Sequence, residues 1–245
     1  MSGHSKWSNI KHKKGKNDAI RAKITTKIGK EITVAARLGG GDPTGNMRLK
    51  LALQKARENN VPKENIQRAI QKGIGATDGG NYEEITYEGY GPGGVAVIVE
   101  VMTDNRNRAA ADVRHAFSKH GGNLGESGCV GWMFNRKGVF VVEGEGRDEE
   151  SLMMTVLDAG ADDFSEDDGD YEILTTPDKY DDVERALADA GIETIVSKIT
   201  MVPDTTLALD GDDARKMQNL LDALEELDDV KDVYSNVELP DEEEE

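Results

Sequence analysis

The sequence predicts an α+β protein of three domains, an N-terminal three-helix bundle followed by two α+β domains, the third ferredoxin-like and inserted into the second. Three observations predict it. Isoleucines recur every fourth residue near the N-terminus, and beyond residue 80 the pattern changes to short alternating or continuous apolar runs. The last helix and strand, moreover, have no partners of their own unless they return to the hairpin domain. At 245 residues the chain also exceeds the usual size of one domain.

The opening stretch MSGHSKWSNIKHKKGKN has neither helical nor strand period and carries Lys6, Lys11, Lys13, Lys14 and Lys16 around Trp7, so it reads as a mobile basic arm. From Asn17 the pattern is helical. Ile20, Ile24, Ile28 and Ile32 share one face until Gly39-Gly40-Gly41-Asp42-Pro43 stops the helix. Beside that stripe Lys16, Lys23, Lys27, Lys30 and Arg37 fall within roughly 80° of helix circumference, a continuous basic ridge. A second helix spans about Asn46 to Glu58, with Met47, Leu49, Leu53 and Ala56 inward and Arg48, Lys55 and Arg57 outward. A third follows Pro62, a residue suited to a first turn because its missing N–H would be unpaired there. Gly73, Gly75, Gly79 and Gly80 mark a linker, so the first domain is 1–80.

Glu84 to Tyr90 and Val95 to Met102 read as a hairpin around Gly91-Pro92-Gly93-Gly94. A helix over Arg106 to Lys119 follows, and Cys129 to Phe134 reads as a strand, with Cys129 a small buried side chain in it. Next come β (Gly138 to Glu143), α (Asp148 to Ala159), β (Tyr171 to Thr175), α (Asp178 to Ala190) and β (Ile192 to Met201), the order of a split βαβ sandwich. The acidic run from Asp162 to Asp170 reads as a solvated loop. A helix, Asp212 to Leu227, and a strand, Val230 to Leu239, return to the hairpin domain, which is therefore discontinuous, 81–135 with 205–240, around an inserted 136–204. The five acids 241–245 form a disordered tail.

Net charge is −18, but its distribution decides what the chain can bind: residues 1–75 carry +12 and the remainder −30. A basic segment tied to acidic domains holds phosphate at one end and repels it elsewhere, favouring one docking orientation. Solubility alone also explains the acidic part. A single cysteine, no leader-like N-terminus and no apolar run beyond about nine residues point to a cytoplasmic protein without a membrane partner.

Catalytic chemistry finds little support. Cys129 lies between Gly128 and Val130 without a base, and His115 and His120 are five apart rather than at the i, i+4 spacing of helical metal ligands. The glycine clusters lack the Lys-Ser/Thr pair of a phosphate loop, and the acidic run lacks the spacing of a calcium loop. No enzyme activity, cofactor, metal or small-molecule substrate is expected. Asp104-Asn105-Arg106-Asn107-Arg108 opens a helix, where Asp104 or Asn105 can cap free N–H groups and Arg106 and Arg108 can meet a phosphate or base edge.

GHSKW at 3–7, KHKK at 11–14, LGGGDP at 38–43, YEGYGPGG at 87–94, DNRNR at 104–108 and HAFSKHGGNLG at 115–125 together resemble the YebC family over nearly the whole chain. The resemblance implies a helical first domain, two α+β domains and a regulator of gene expression. Bacterial members are described as DNA-binding transcriptional regulators, whereas the related mitochondrial translational activator of cytochrome c oxidase I and some bacterial relatives act on the ribosome.

The expected partner is therefore nucleic acid, DNA or ribosomal RNA, together with the transcription machinery or the ribosome; an adaptor binding only proteins is the alternative of another class. The expected contacts are Lys6, Trp7, Lys11, His12, Lys13, Lys14 and Lys16 in the arm, Arg21, Lys23, Lys27, Lys30 and Arg37 on the first helix, and Arg106 and Arg108.

Overall fold

The computed structural model describes residues 18–75 and 82–240. Its helices are α1 (Asp18–Gly39), α2 (Met47–Glu58), α3 (Lys63–Ile74), α4 (Arg106–Lys119), α5 (Glu149–Asp158), α6 (Tyr180–Asp189) and α7 (Gly211–Glu226). Its strands are β1 (Glu83–Tyr90), β2 (Ala96–Thr103), β3 (Asn123–Leu124), β4 (Phe134–Glu143), β5 (Asp163–Asp167), β6 (Asp170–Thr175), β7 (Val196–Pro203), β8 (Leu207–Ala208), β9 (Val230–Ser235) and β10 (Val237–Glu238).

In the bundle the isoleucine stripe supplies the core. Ile28, Ile32 and Ala35 of α1 pack on Leu49, Ala52 and Ala56 of α2 and on Val61, with Ile24, Ile66 and Ile70 partly buried around them. Each buried isoleucine contributes about 1.5–3 kcal/mol. Ile20 lies at the exposed end, so the stripe meets the core only from Ile24 onward. One buried side chain joins α1 to α2. Asn46 accepts from the Leu49 N–H at 3.1 Å to cap α2, and its amide donates to the Ala35 and Gly40 carbonyls at 2.8 and 2.9 Å, closing the end of α1. Gly73 lets α3 approach α1, since a Cβ there would stand 2.4 Å from the Thr33 carbonyl oxygen.

The second domain is a sheet of order β3-β1-β2-β9, with β1 antiparallel to both β2 and β3. Every residue of β2 except Glu100 is buried, the mark of a central strand covered on both faces. Helix α4 contributes Ala109, Val113, Ala116 and Phe117 to the interior, and α7 contributes Met217, Leu220 and Leu224. Gly91 in the hairpin turn makes room for α7, because a Cβ there would meet the Met217 sulfur at 2.5 Å.

The third domain runs β4-α5-β5-β6-α6-β7 and forms an antiparallel sheet of order β5-β6-β4-β7, which is the ferredoxin-like arrangement. Phe140 of β4 stacks on Tyr180 of α6 at 4.8 Å between ring centroids, and the Tyr180 hydroxyl is 2.9 Å from that of Ser197. The chain divides into two compact units, one holding 16–127 with 216–233, the other 128–215 with 234 onward. A two-stranded parallel pair, β8 with β10, belongs to the second unit.

Several elements differ from the sequence reading. Cys129 to Phe134 is not a strand: Gly131–Met133 forms a 3-10 turn, Gly128 has φ 89°, and the strand starts at Phe134. Cys129 is half-buried, and Trp132 stands 74% exposed with its indole N–H donating to the Cys129 carbonyl at 3.1 Å. The acidic run is not merely a loop. Asp163–Asp167 pairs with β6 around an Asp168-Gly169 turn whose φ values, 52° and 81°, are those a two-residue hairpin demands. Phe164 anchors it by stacking on Tyr171 at 5.3 Å, while its carboxylates face the water along an edge strand. The final strand breaks at Asn236 into β9 and β10.

Candidate nucleic-acid interface

The basic ridge on α1 forms as the four- and three-residue spacing requires, yet three of its lysines also donate to carbonyls elsewhere in the chain. Lys23 donates to the Glu226 carbonyl at 3.0 Å, Lys27 to the Glu225 carbonyl, and Lys30 to the Asp228 carbonyl at 3.3 Å. These acceptors lie at and just beyond the carboxyl end of α7, where the last carbonyls lack helical partners and the helix dipole is negative. Three lysines thus cap a helix some 200 residues away in sequence (separations of 198 to 203). Burial pushes the Lys27 ammonium below its ordinary value, against the opposing pull of Glu225 and Asp228.

Further charges tie the bundle to the second domain. The Arg48 guanidinium bridges Glu31, at 2.7 and 3.0 Å, and Glu84, at 2.5 and 3.2 Å, and Lys231 reaches Glu31 at 3.3 Å. Its hydrogen bond to Glu31 does most to hold Arg48 above the ordinary arginine range, and its hydrogen bond to Glu84 holds that carboxyl below the ordinary range. Lys55 lies 3.7 Å from Asp232. Arg48 and Lys55, read from sequence as outward, are therefore outward from the bundle core but not toward solvent alone.

The pair Arg106 and Arg108 separates into two roles. Arg108 grips Asp229 through two bonds, at 3.0 and 2.9 Å, and Asp104 at 2.7 Å, so it fastens the start of α4 to the turn entering β9. Asp229 is buried, which opposes its ionisation, but Arg108 and Thr103 outweigh that and hold its carboxyl below the usual value. Arg106 stays exposed, 3.7 Å from Glu83. Asn105 caps α4 by accepting from the Arg108 N–H at 3.1 Å.

Of the other expected contacts, Arg21 and Arg37 are exposed on α1, whereas Lys6, Trp7, Lys11, His12, Lys13, Lys14 and Lys16 lie outside the described residues. Two exposed cations that the sequence reading did not single out, Arg68 and Lys72, stand one turn apart on α3. Their four-residue spacing behind Asn65 was the available signal. Among the described residues no group of three or more His, Cys, Asp or Glu side chains could hold a metal ion, and no helix is long and apolar enough to cross a membrane.

A basic three-helix head joined to a discontinuous α+β domain with a ferredoxin-like insertion defines the class of this protein. Comparison with known proteins then gives the particular family. A model of the TACO1/YebC protein N-terminal domain matches residues 5–76, and one of the TACO1/YebC second and third domain matches residues 82–237. A "Probable transcriptional regulatory protein" of Pelotomaculum thermopropionicum is 58% identical over 243 residues, covering 98% of this chain and 100% of the relative. One of the same name from Carboxydothermus hydrogenoformans is 53% identical, covering 98% and 100%. The crystal structure of a conserved hypothetical protein from Aquifex aeolicus superposes with a TM-score of 0.82 at 47% identity, covering 96% of this chain and 98% of that one. The chain belongs to the TACO1/YebC family.

Proposed function

We propose that this protein is a non-enzymatic, cytoplasmic regulator of gene expression that acts by binding nucleic acid through its basic N-terminal region. The observation that carries the reading is the +12 charge of residues 1–75 against −30 in the rest, which orients the chain on a polyanion. The relatives' name supports transcription as the process regulated, and DNA is the polyanion that process offers. With Lys23, Lys27 and Lys30 turned toward α7, the contacts fall mainly to the arm lysines, with Arg21, Arg37 and Arg106 as supports.

A second reading, an RNA-binding translation factor working on the ribosome, is favoured by Trp7 among clustered lysines, a composition suited to unpaired bases. The test is ultraviolet crosslinking in cells with sequencing of both the DNA and the RNA recovered. Crosslinks at discrete promoters establish transcriptional regulation, and crosslinks concentrated on ribosomal RNA establish the second reading. Recovery of neither refutes both.

A further inference from the structure

Between α1 and α3 lies a groove of about 270 Å³. Gly29 and Ala69 form part of its lining, and their small size leaves a shallow groove above a closed seam, where Gly73 lets the helices touch and the Thr33 hydroxyl donates to the Ala69 carbonyl at 3.2 Å. On α1 the lining residues include Thr26, Lys30 and Thr33, and on α3 Asn65, Arg68 and Lys72, each set at i, i+3/i+4, i+7 spacing. Each helix therefore turns one continuous face to the groove. Among the described lining residues three side chains are cationic and none is a carboxylate.

Arg68 and Lys72 are exposed and form no ion pair with any described residue. Like charges at i, i+4 repel each other weakly, which an anion held between them relieves. Tyr82 also lines the groove, half-buried, with the Lys30 ammonium 5.7 Å from its ring centroid. Cations one helical turn apart beside an aromatic ring offer a phosphate site and a stacking surface together.

We infer that this groove binds one unpaired nucleotide of a single nucleic-acid strand, its phosphate held by Arg68 and Lys72 and its base placed against Tyr82. The inference rests on the nucleic-acid reading above and deepens it. A duplex keeps its bases stacked inside and offers Tyr82 no ring face, so the groove selects single strands.

The test uses the full chain and fluorescence anisotropy with labelled oligouridine, oligothymidine and a duplex across a potassium chloride series. Replacing Arg68 and Lys72 by glutamine keeps good helix formers at exposed positions, and unchanged melting confirms folding. The double variant R68Q/K72Q should weaken both single strands by about tenfold and lower the salt slope by about 1.4, two contacts' worth. Y82A should weaken the single strands by about tenfold with no change of slope, since stacking releases no counterions. Unchanged affinity and slope in R68Q/K72Q, while K11A/K13A/K14A weakens binding, would overturn the groove and leave the proposed function standing. A loss confined to the duplex overturns the single-strand assignment. No binding of any probe by the wild-type chain overturns the proposed function and the groove with it.

Discussion

On α1, Lys23, Lys27 and Lys30 reach the carboxyl end of α7, whereas on α3 Arg68 and Lys72 line a groove with no carboxylate among its described residues. Both sets belong to one bundle and carry the same charge. What separates them is the neighbour: the first faces carbonyls left unsatisfied by another helix, the second faces water. A cation that caps a helix end works for the fold, and one held beside other cations is left for a ligand.

The largest expected effect removes both sets together, because α1, which carries the first, and α3, which carries the second, share the core around Ile32. Ile32→Ala deletes a fully buried side chain and should cost about 2–5 kcal/mol in urea unfolding. Gly73→Ala separates them. Its Cβ would press on the Thr33 carbonyl and force α3 away from α1, costing about 1–3 kcal/mol and deforming the groove while the contact with α7 remains. Lys23→Ala with Lys27→Ala should lower stability by about 1 kcal/mol and leave nucleic-acid affinity nearly unchanged. A large affinity loss in that variant without loss of stability would reverse the assignment of the ridge.

The smallest effect is a pH dependence. Asp229 has a folded-state pKa below its unfolded value of 3.8, so its pair with Arg108 stabilises the fold above that pH and the contribution fades as pH falls through the folded value. Lys27 has the opposite chemistry with the same slope. Its folded pKa lies below 10.5, so folding binds fewer protons and stability rises with pH between the folded value and 10.5. Urea titrations of Asp229→Asn below pH 3.8 should converge toward wild type, and Lys27→Met should lose part of the alkaline rise.

Much of the fold was legible because its signals are local. The isoleucine period predicted α1, the apolar positions Ala109, Val113, Ala116 and Phe117 predicted α4 with its observed bounds, and the β-α-β-α-β order predicted the ferredoxin-like sheet. The strand β5 was missed because its carboxylates look like a loop. Only the Asp168-Gly169 pair betrayed the hairpin. The strand expected at Cys129 failed because Gly128 and Gly131 permit a turn that apolar content alone does not reveal.

The family, the succession of elements and the concentration of positive charge in the first 75 residues can all be read along the chain. Which of those charges remain available depends on what folding brings beside them. Lys23 to Lys30 meet the carboxyl end of α7 and the turn after it across nearly the whole chain, Arg108 meets Asp229 across 121 residues, and Arg68 and Lys72 meet no acid among the described residues. Charge is written residue by residue, but the field around a cation depends on whatever the fold places within a few ångströms of it.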